Sequence, residues 1–305
     1  IAIDAFRIEQ AKRSEEAAMA AGAAMAVIGW WTGFKVGGIL SLYSAELFQR
    51  AGFENYWQLT FLLLSLIIII CSSCLIMINE PIKSESKTIN VDANPHLIWL
   101  SECVLDPILS FFKKNGWGLA LALISFIFLF KIGEAFMGRM SIVFYKEIGF
   151  SKTDIALYSK GVGWITTIAF TLIGGVFTIK AGIFKALVLS GIAMATTNLF
   201  FSLMAWVERS ELLFVFAVLL DDLATAFATV TFVAFISILI DRNYTATQYA
   251  LLASVGTAGR TLLASSSGAM VDWLNGDWAL FFILTTMMVI PSLILLFLIK
   301  NRLPV

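Results

Sequence analysis

Long apolar runs separated by short polar turns dominate the chain, and their lengths predict helices that cross a membrane. The runs fall at about 17–45, 57–78, 118–145, 153–179, 184–206, 211–240, 247–271 and 278–299. An α-helix rises about 1.5 Å per residue, so roughly 20 residues span a hydrocarbon core about 30 Å thick. Every one of these runs meets that length. None alternates apolar and polar residues as a barrel strand would, which leaves helices as the spanning element whose backbone is satisfied in lipid. Residues 1–6 read as the tail of a further helix. The chain opens on "IAIDAFRIE", with no methionine and no signal peptide, and the expectation is an N-terminally truncated fragment whose earlier spans precede it.

The segment 79–117 breaks the pattern. It is polar, holds Pro81, Pro95 and Pro107, and separates two spans from six. Within it, "LIWLSECVLDPILSFFKK" predicts an amphipathic helix lying at the membrane interface and interrupted near Pro107. A weak repeat flanks this linker. "IAIDAFRIE" and "ISILIDRNYTATQ" each lead from a span end through a charged loop into a helix of small residues, around Gly29–Gly38 and around Gly256 and Gly259. Each copy then reaches a tryptophan, Trp57 or Trp278, that opens an uncharged span. Two related halves joined by a long linker predict a secondary transporter built from repeats. The expected fold is an all-α integral membrane protein showing helices 5–12 of 12. Residues 1–78 would hold the end of helix 4 with helices 5 and 6, residues 79–117 the linker, and residues 118–305 the six-helix bundle of helices 7–12. Gly29, Gly33 and Gly37, and the pair Gly174–Gly175, are expected where helices pack closely.

Composition agrees with a membrane as the solvent: 59% of residues are hydrophobic and 14% charged, with a mean hydropathy of +0.88. A net charge of zero, with no basic face, gives nucleic-acid binding no support. Lysines and arginines in alternate loops divide twelve against four, which predicts that the richer side, with the linker and the C-terminus, faces the cytoplasm. His96 stands alone in the polar linker, and Cys71 and Cys74 lie inside an apolar run, where they are expected as core residues rather than as a metal or redox pair. No phosphate-binding loop of the G-x-x-x-x-G-K-[ST] type is present, and the chain is expected to be no enzyme.

Charges inside the spans carry the chemistry. They are Lys35 on helix 5, Lys131, Glu134 and Arg139 on helix 7, Lys160 on helix 8, Asp221 and Asp222 on helix 10, and Arg260 on helix 11. In a carrier of two six-helix bundles, helices 1, 4, 7 and 10 line the cavity, 2, 5, 8 and 11 flank it, and the others face lipid. The interiors of helices 6, 9 and 12 carry no Asp, Glu, Lys or Arg. A charge at mid-membrane costs at least about 2.5–3.5 kcal/mol, so it must face water or a partner. Lys131 and Glu134, three residues apart, share a helix face, whereas only one of the adjacent Asp221 and Asp222 can point straight into a cavity. A buried carboxylate can hold a proton, and lysine or arginine beside it can hold an anionic cargo. Static ion pairs that tie helices 7, 10 and 11 together are the competing reading. Arg139 lies near the outer end of its span and can snorkel.

The residues resemble the AmpG-type muropeptide permeases of the major facilitator superfamily. The resemblance runs over the whole chain and is carried by "DAFR" at 4–7, "LFKIGEAF" at 129–136, "YSKGVG" at 158–163, "FVAF" at 232–235 and "TATQYALLASVGTAGR" at 245–260, with "DPILSFFKK" ahead of helix 7. It implies a monomeric inner-membrane carrier that imports N-acetylglucosaminyl-anhydromuramyl peptides for cell-wall recycling. The proton gradient would drive it, with no bound cofactor. The resemblance places Lys131, Glu134, Lys160, Asp221 and Arg260 in the cavity, with Asp4 and Arg7 at a cytoplasmic gate. Two departures bear on the cargo. Helix 5 of the family often reads Gly-Tyr-Arg-x-Gly where this chain has "GWWTG", with Trp31 at the basic position and Lys35 one turn on. Asp222 follows Asp221 where an asparagine is usual. Another anionic solute such as acetyl-coenzyme A, and a non-transporting membrane sensor or scaffold, are the alternatives.

Overall fold

A computed structural model describes residues 1–11, 16–77, 101–151, 155, 163–207 and 209–302. Among these residues the chain is helical, and the predicted runs appear as α1 (Ala2–Gln10), α2 (Glu16–Arg50), α3 (Tyr56–Ser73), α4 (Asp106–Asn115), α5 (Trp117–Leu129), α6 (Ile132–Glu147), α7 (Gly163–Ala181), α8 (Ile183–Trp206), α9 (Glu211–Leu239), α10 (Thr245–Ala258), α11 (Ser267–Trp273), α12 (Trp278–Met287) and α13 (Ile290–Ile299). Among the described residues six helices are long and apolar enough to cross a membrane: Glu16–Arg50, Tyr56–Ser73, Trp117–Glu147, Ile183–Trp206, Glu211–Leu239 and Trp278–Arg302. The expected span at 153–179 is seen in its second half as α7, and most of its first half lies outside the described residues. The span at 247–271 is α10 and α11 with a π-helical turn, Gly259–Leu263, between them.

Local chemistry explains several boundaries. Ser210 Oγ accepts from Leu213 N at 3.3 Å and Asp277 Oδ1 from Leu280 N at 2.9 Å, N-caps that start α9 and α12. Gly182, at φ 84°, turns the chain between α7 and α8 in a single residue, a conformation only glycine adopts without strain. Between the π turn and α11, Ser265 and Ser266 donate back to the carbonyls of Leu262 and Leu263, which competes with the helical ladder and marks the break. Pro107 sits in the first turn of α4, after a π-helical turn at Ser101–Leu105. Its missing N–H costs nothing there, so it starts the α-helix rather than interrupting one.

Packing divides the interior in two. At one end Ile8, Met19, Phe126, Phe130, Phe235, Leu239 and Leu252 join α1, α2, α5, α9 and α10. At the other, Phe144, Tyr145, Phe201, Phe214, Trp278, Phe281 and Phe282 form an aromatic cluster between α6, α8, α9 and α12. The segments of the repeat cross over: α1 lies on α10 and α9 lies on α2. Gly174 and Gly175 make the expected close approach, since a Cβ would stand 2.9 Å from the Phe227 ring and 2.7 Å from Ala24 Cβ.

Two expectations fail. The stripe of Gly29, Gly33 and Gly37 has no described atom within 4 Å of where a Cβ would be, so it makes no close helix contact among the described residues. Buried positions of α2 are instead concentrated at Met19, Ala20, Ala23, Ala24 and Val27. Cys71 and Cys74 are exposed rather than in the core. Among the described residues α3 buries only Thr60 and turns an almost wholly apolar surface outward.

Candidate functional site

The centre of the molecule is built on a break in a membrane helix. α5 ends at Leu129, Phe130 and Lys131 form a turn with Lys131 at φ −104° and ψ 14°, and α6 starts at Ile132. Glycines let the neighbouring helices close on this break. A Cβ on Gly259 would overlap the carbonyl oxygen of Phe128, and one on Gly133 would stand 2.6 Å from the Thr285 carbonyl oxygen and 2.8 Å from Val289. The approach at Gly259 coincides with the π turn, which widens the helix there and carries Arg260 towards α6.

Lys131 and Glu134, 5% and 9% exposed, face each other across the break. Lys131 Nζ lies 2.9 Å from Glu134 Oε2, a close charge contact that is not aligned as a hydrogen bond. Nζ also donates to Thr229 Oγ1 of α9 at 2.7 Å. Glu134 occupies the first turn of α6, where unpaired N–H groups and the helix dipole favour a carboxylate. Its other oxygen, Oε1, is 4.0 Å from Arg260 Nη2, whose side chain is 49% exposed. Asp221 lies within electrostatic range of Glu134, Lys131 and the buried phenol of Tyr145. Its neighbour Asp222 turns the other way and accepts from Thr166 Oγ1 of α7 at 2.9 Å.

These two attachments of Glu134 differ in strength. Removing one partner of a buried ion pair costs about 3–5 kcal/mol, because the other is left charged and unpaired. A half-exposed pair at 4.0 Å is screened and contributes about 1 kcal/mol or less. The arrangement therefore holds one cation fixed on a carboxylate and a second that is easily drawn off. No group of three or more His, Cys, Asp or Glu side chains able to hold a metal occurs among the described residues.

Other candidates lie apart. Lys35 is half-buried on α2 with its ammonium 5.3 Å from the Trp31 ring, and Trp31 packs against Ala24, Val27 and Val230. Lys160 falls outside the described residues. Arg139 is exposed.

Asp4 and Arg7 come together at the end of the molecule where α1, α2, α9 and α10 meet. Arg7 Nη2 donates to Ser237 Oγ at 3.0 Å and lies 3.7 Å from Asp4 Oδ1, over Gly22 and within reach of Tyr249. Arg7 Nε and Nη1 are buried without a hydrogen-bond partner among the described residues. The sequence did not point to the reciprocal contact, in which Arg242 donates to the carbonyl of Ala11. Its only trace was that "LIDRN" in the second copy of the repeat stands where "IDAFR" stands in the first. α4 is stitched to the same corner. Ser110 Oγ donates to Asp241 Oδ2 at 2.9 Å, Lys114 Nζ to the Leu239 carbonyl at 3.1 Å, and Gln248 Nε2 to the Pro107 carbonyl at 2.9 Å.

Comparison with known proteins agrees with this architecture. The description of the Major Facilitator Superfamily matches residues 10–264. AmpG 4 of Rickettsia felis is 30% identical over 302 residues, which cover 99% of this chain and 69% of that protein. The anhydromuropeptide permease of Escherichia coli is 28% identical over 304 residues, covering 99% of this chain and 57% of its own length. With its apolar helices, its charges gathered at a broken one, and similarity that runs from end to end, the chain belongs to the major facilitator superfamily of transporters, among its AmpG-type members.

Proposed function

We propose that the protein imports muropeptides across the bacterial inner membrane, coupled to inward proton flow, as a monomer with its C-terminus in the cytoplasm. The observation that carries the reading is the unequal sharing of Glu134 between a buried lysine and a half-exposed arginine. Protonation of Glu134 removes the charge that draws Arg260 inward. The guanidinium is then free to take a carboxylate of the cargo in a bidentate geometry, which is stronger than the contact it leaves. Deprotonation returns Arg260 to Glu134 and releases the cargo. Asp221 is the second carboxylate in range and receives or passes on the proton. Lys35 and Lys160 are assigned to acidic groups of the cargo.

The Arg7–Ser237 and Arg242–Ala11 contacts close the basic end, which the excess of lysine and arginine assigns to the cytoplasm. Asp4 orients Arg7 there, and parting of this corner opens the cavity to the cytoplasm.

The test is uptake of labelled N-acetylglucosaminyl-anhydromuramyl tripeptide into proteoliposomes carrying the full-length protein, with an imposed proton gradient. Wild type should accumulate the label, and Glu134→Gln should abolish accumulation. Competition by coenzyme A compounds but not by unlabelled muropeptide would replace the cargo. Absence of flux with either would sink the transport reading.

A further inference from the structure

Thr229 is the residue on which Lys131 rests. Its hydroxyl proton is already committed, since Oγ1 donates to the Thr225 carbonyl at 2.7 Å, one turn back on α9. The Thr229 oxygen therefore has only lone pairs to offer, and Lys131 Nζ takes one at 2.7 Å. α9 uses the same device at the basic end. Ser237 Oγ donates to the Val233 carbonyl at 2.7 Å and accepts from Arg7 Nη2 at 3.0 Å. In both places a hydroxyl on the helix acts as a neutral acceptor for a cation brought from another element.

Lys131 thus has two acceptors that answer differently to a proton. Glu134 loses its charge when protonated, whereas Thr229 does not titrate. The charged groups that face this ammonium are Glu134 from α6, Arg260 from the π turn, and Asp221 from α9. With Glu134 neutral, a lysine free of Thr229 would be pushed by Arg260 and drawn to Asp221. It would then neutralise the second carboxylate.

We infer that Thr229 is a positioning residue that keeps Lys131 in place while Glu134 is neutral, so that Lys131 is a fixed counter-charge and Glu134 carries the proton. The inference rests on the proton-coupled reading of this site. It also answers which member of the pair titrates, which spacing along the chain left open.

Two measurements decide it. The first needs no cargo: thermal unfolding of the full-length protein in detergent, with Thr229→Val introduced into wild type and into a Lys131→Met, Glu134→Gln background that removes both charges together. One lost hydrogen bond to an ammonium should lower the midpoint by a few degrees in wild type, with little change in the neutral background. Equal losses in the two backgrounds would show that Thr229 does not act through Lys131. The second compares counterflow exchange of labelled muropeptide, which moves no net protons, with accumulation driven by a proton gradient. Thr229→Val should lose accumulation roughly tenfold or more and keep exchange, and Thr229→Ser, which restores the acceptor, should recover it. Accumulation unchanged in Thr229→Val, or exchange falling in step with it, would overturn the inference. A wild type that moves no muropeptide would refute the proposed cargo, and the unfolding comparison would still decide the tether.

Discussion

Gly133→Ala tests whether the broken helix is as tightly enclosed as the structure requires. A Cβ at this position would stand 2.6 Å from the carbonyl oxygen of Thr285, 2.8 Å from Val289 Cγ2 and 3.5 Å from Asn198 Nδ2. Ordinary contact begins at 3.4 Å, so α6 and the α12–α13 junction must separate by 3.4 − 2.6 = 0.8 Å. One obstacle is backbone and another is a β-branched side chain that is fully buried, so neither can step aside alone. Overpacking of this kind costs about 1–3 kcal/mol, and alanine's helix preference over glycine offsets about 1 kcal/mol of it. Gly138 is the control on the same helix: no atom lies within 4 Å of its Cβ position, so alanine there brings only the propensity gain. The two variants should differ by about 1–3 kcal/mol, or roughly 2–10 °C in the midpoint of thermal unfolding in detergent. Displacement of α6 should also pull Glu134 from Arg260, already 4.0 Å away, so transport should fall by more than stability does. If Gly133→Ala melts at or above Gly138→Ala, the close contact with Thr285 and Val289 is not present in the folded protein.

Further outcomes follow from the corner at the basic end and from the outer helix. Arg242→Gln removes the donor to the Ala11 carbonyl and should make a cysteine at Ser237 react several-fold faster with an impermeant maleimide applied from the cytoplasmic side. An unchanged labelling rate would show that Arg242 does not help to close that end. Cys71→Ser and Cys74→Ser, at exposed positions on α3, should each change stability by no more than about 0.5 kcal/mol, and a larger loss of melting temperature would place these thiols in a packed interface.

The pattern of apolar runs gave away the helices because in lipid every spanning segment must be both long and apolar. It could not give away the breaks. Nothing local in "LFKIGEAF" stops a helix: it has no proline, and its one glycine lies past the turn at Phe130 and Lys131. The π turn at Gly259 likewise accompanies a contact with Phe128, more than 100 residues away in the chain. The charges were legible because each one costs enough in a membrane to demand a reason. That argument selected Lys131, Glu134, Asp221 and Arg260, which come together, and also Lys35, whose ammonium lies 5.3 Å from the Trp31 ring. Thr229 and Ser237 escaped it. A hydroxyl that bonds to its own helix is at home in lipid and leaves no mark on a hydropathy profile. Cys71 and Cys74 were misplaced for a related reason, since an apolar run looks the same whether protein or lipid surrounds it.

The two sites stand in a physical relation that neither reveals alone. The Lys131–Glu134 pair lies within one helix break, and its other contacts, Thr229 and Arg260, belong to segments that pack against the same break. None of these contacts joins α1 or α2 to the rest, so protonating Glu134 does not directly favour one arrangement of the halves over another. At the basic end, two polar contacts do cross: Arg7 to Ser237 and Arg242 to Ala11, with the two copies of the repeat each offering an arginine to the other. Both sites share the same two helices. α9 carries Thr229 and Ser237, and α10 carries Tyr249 beside Arg7 and leads into the turn that holds Arg260. One helix, α10, therefore links the two places, and a displacement of α10 would reach both Arg260 and the surroundings of Arg7.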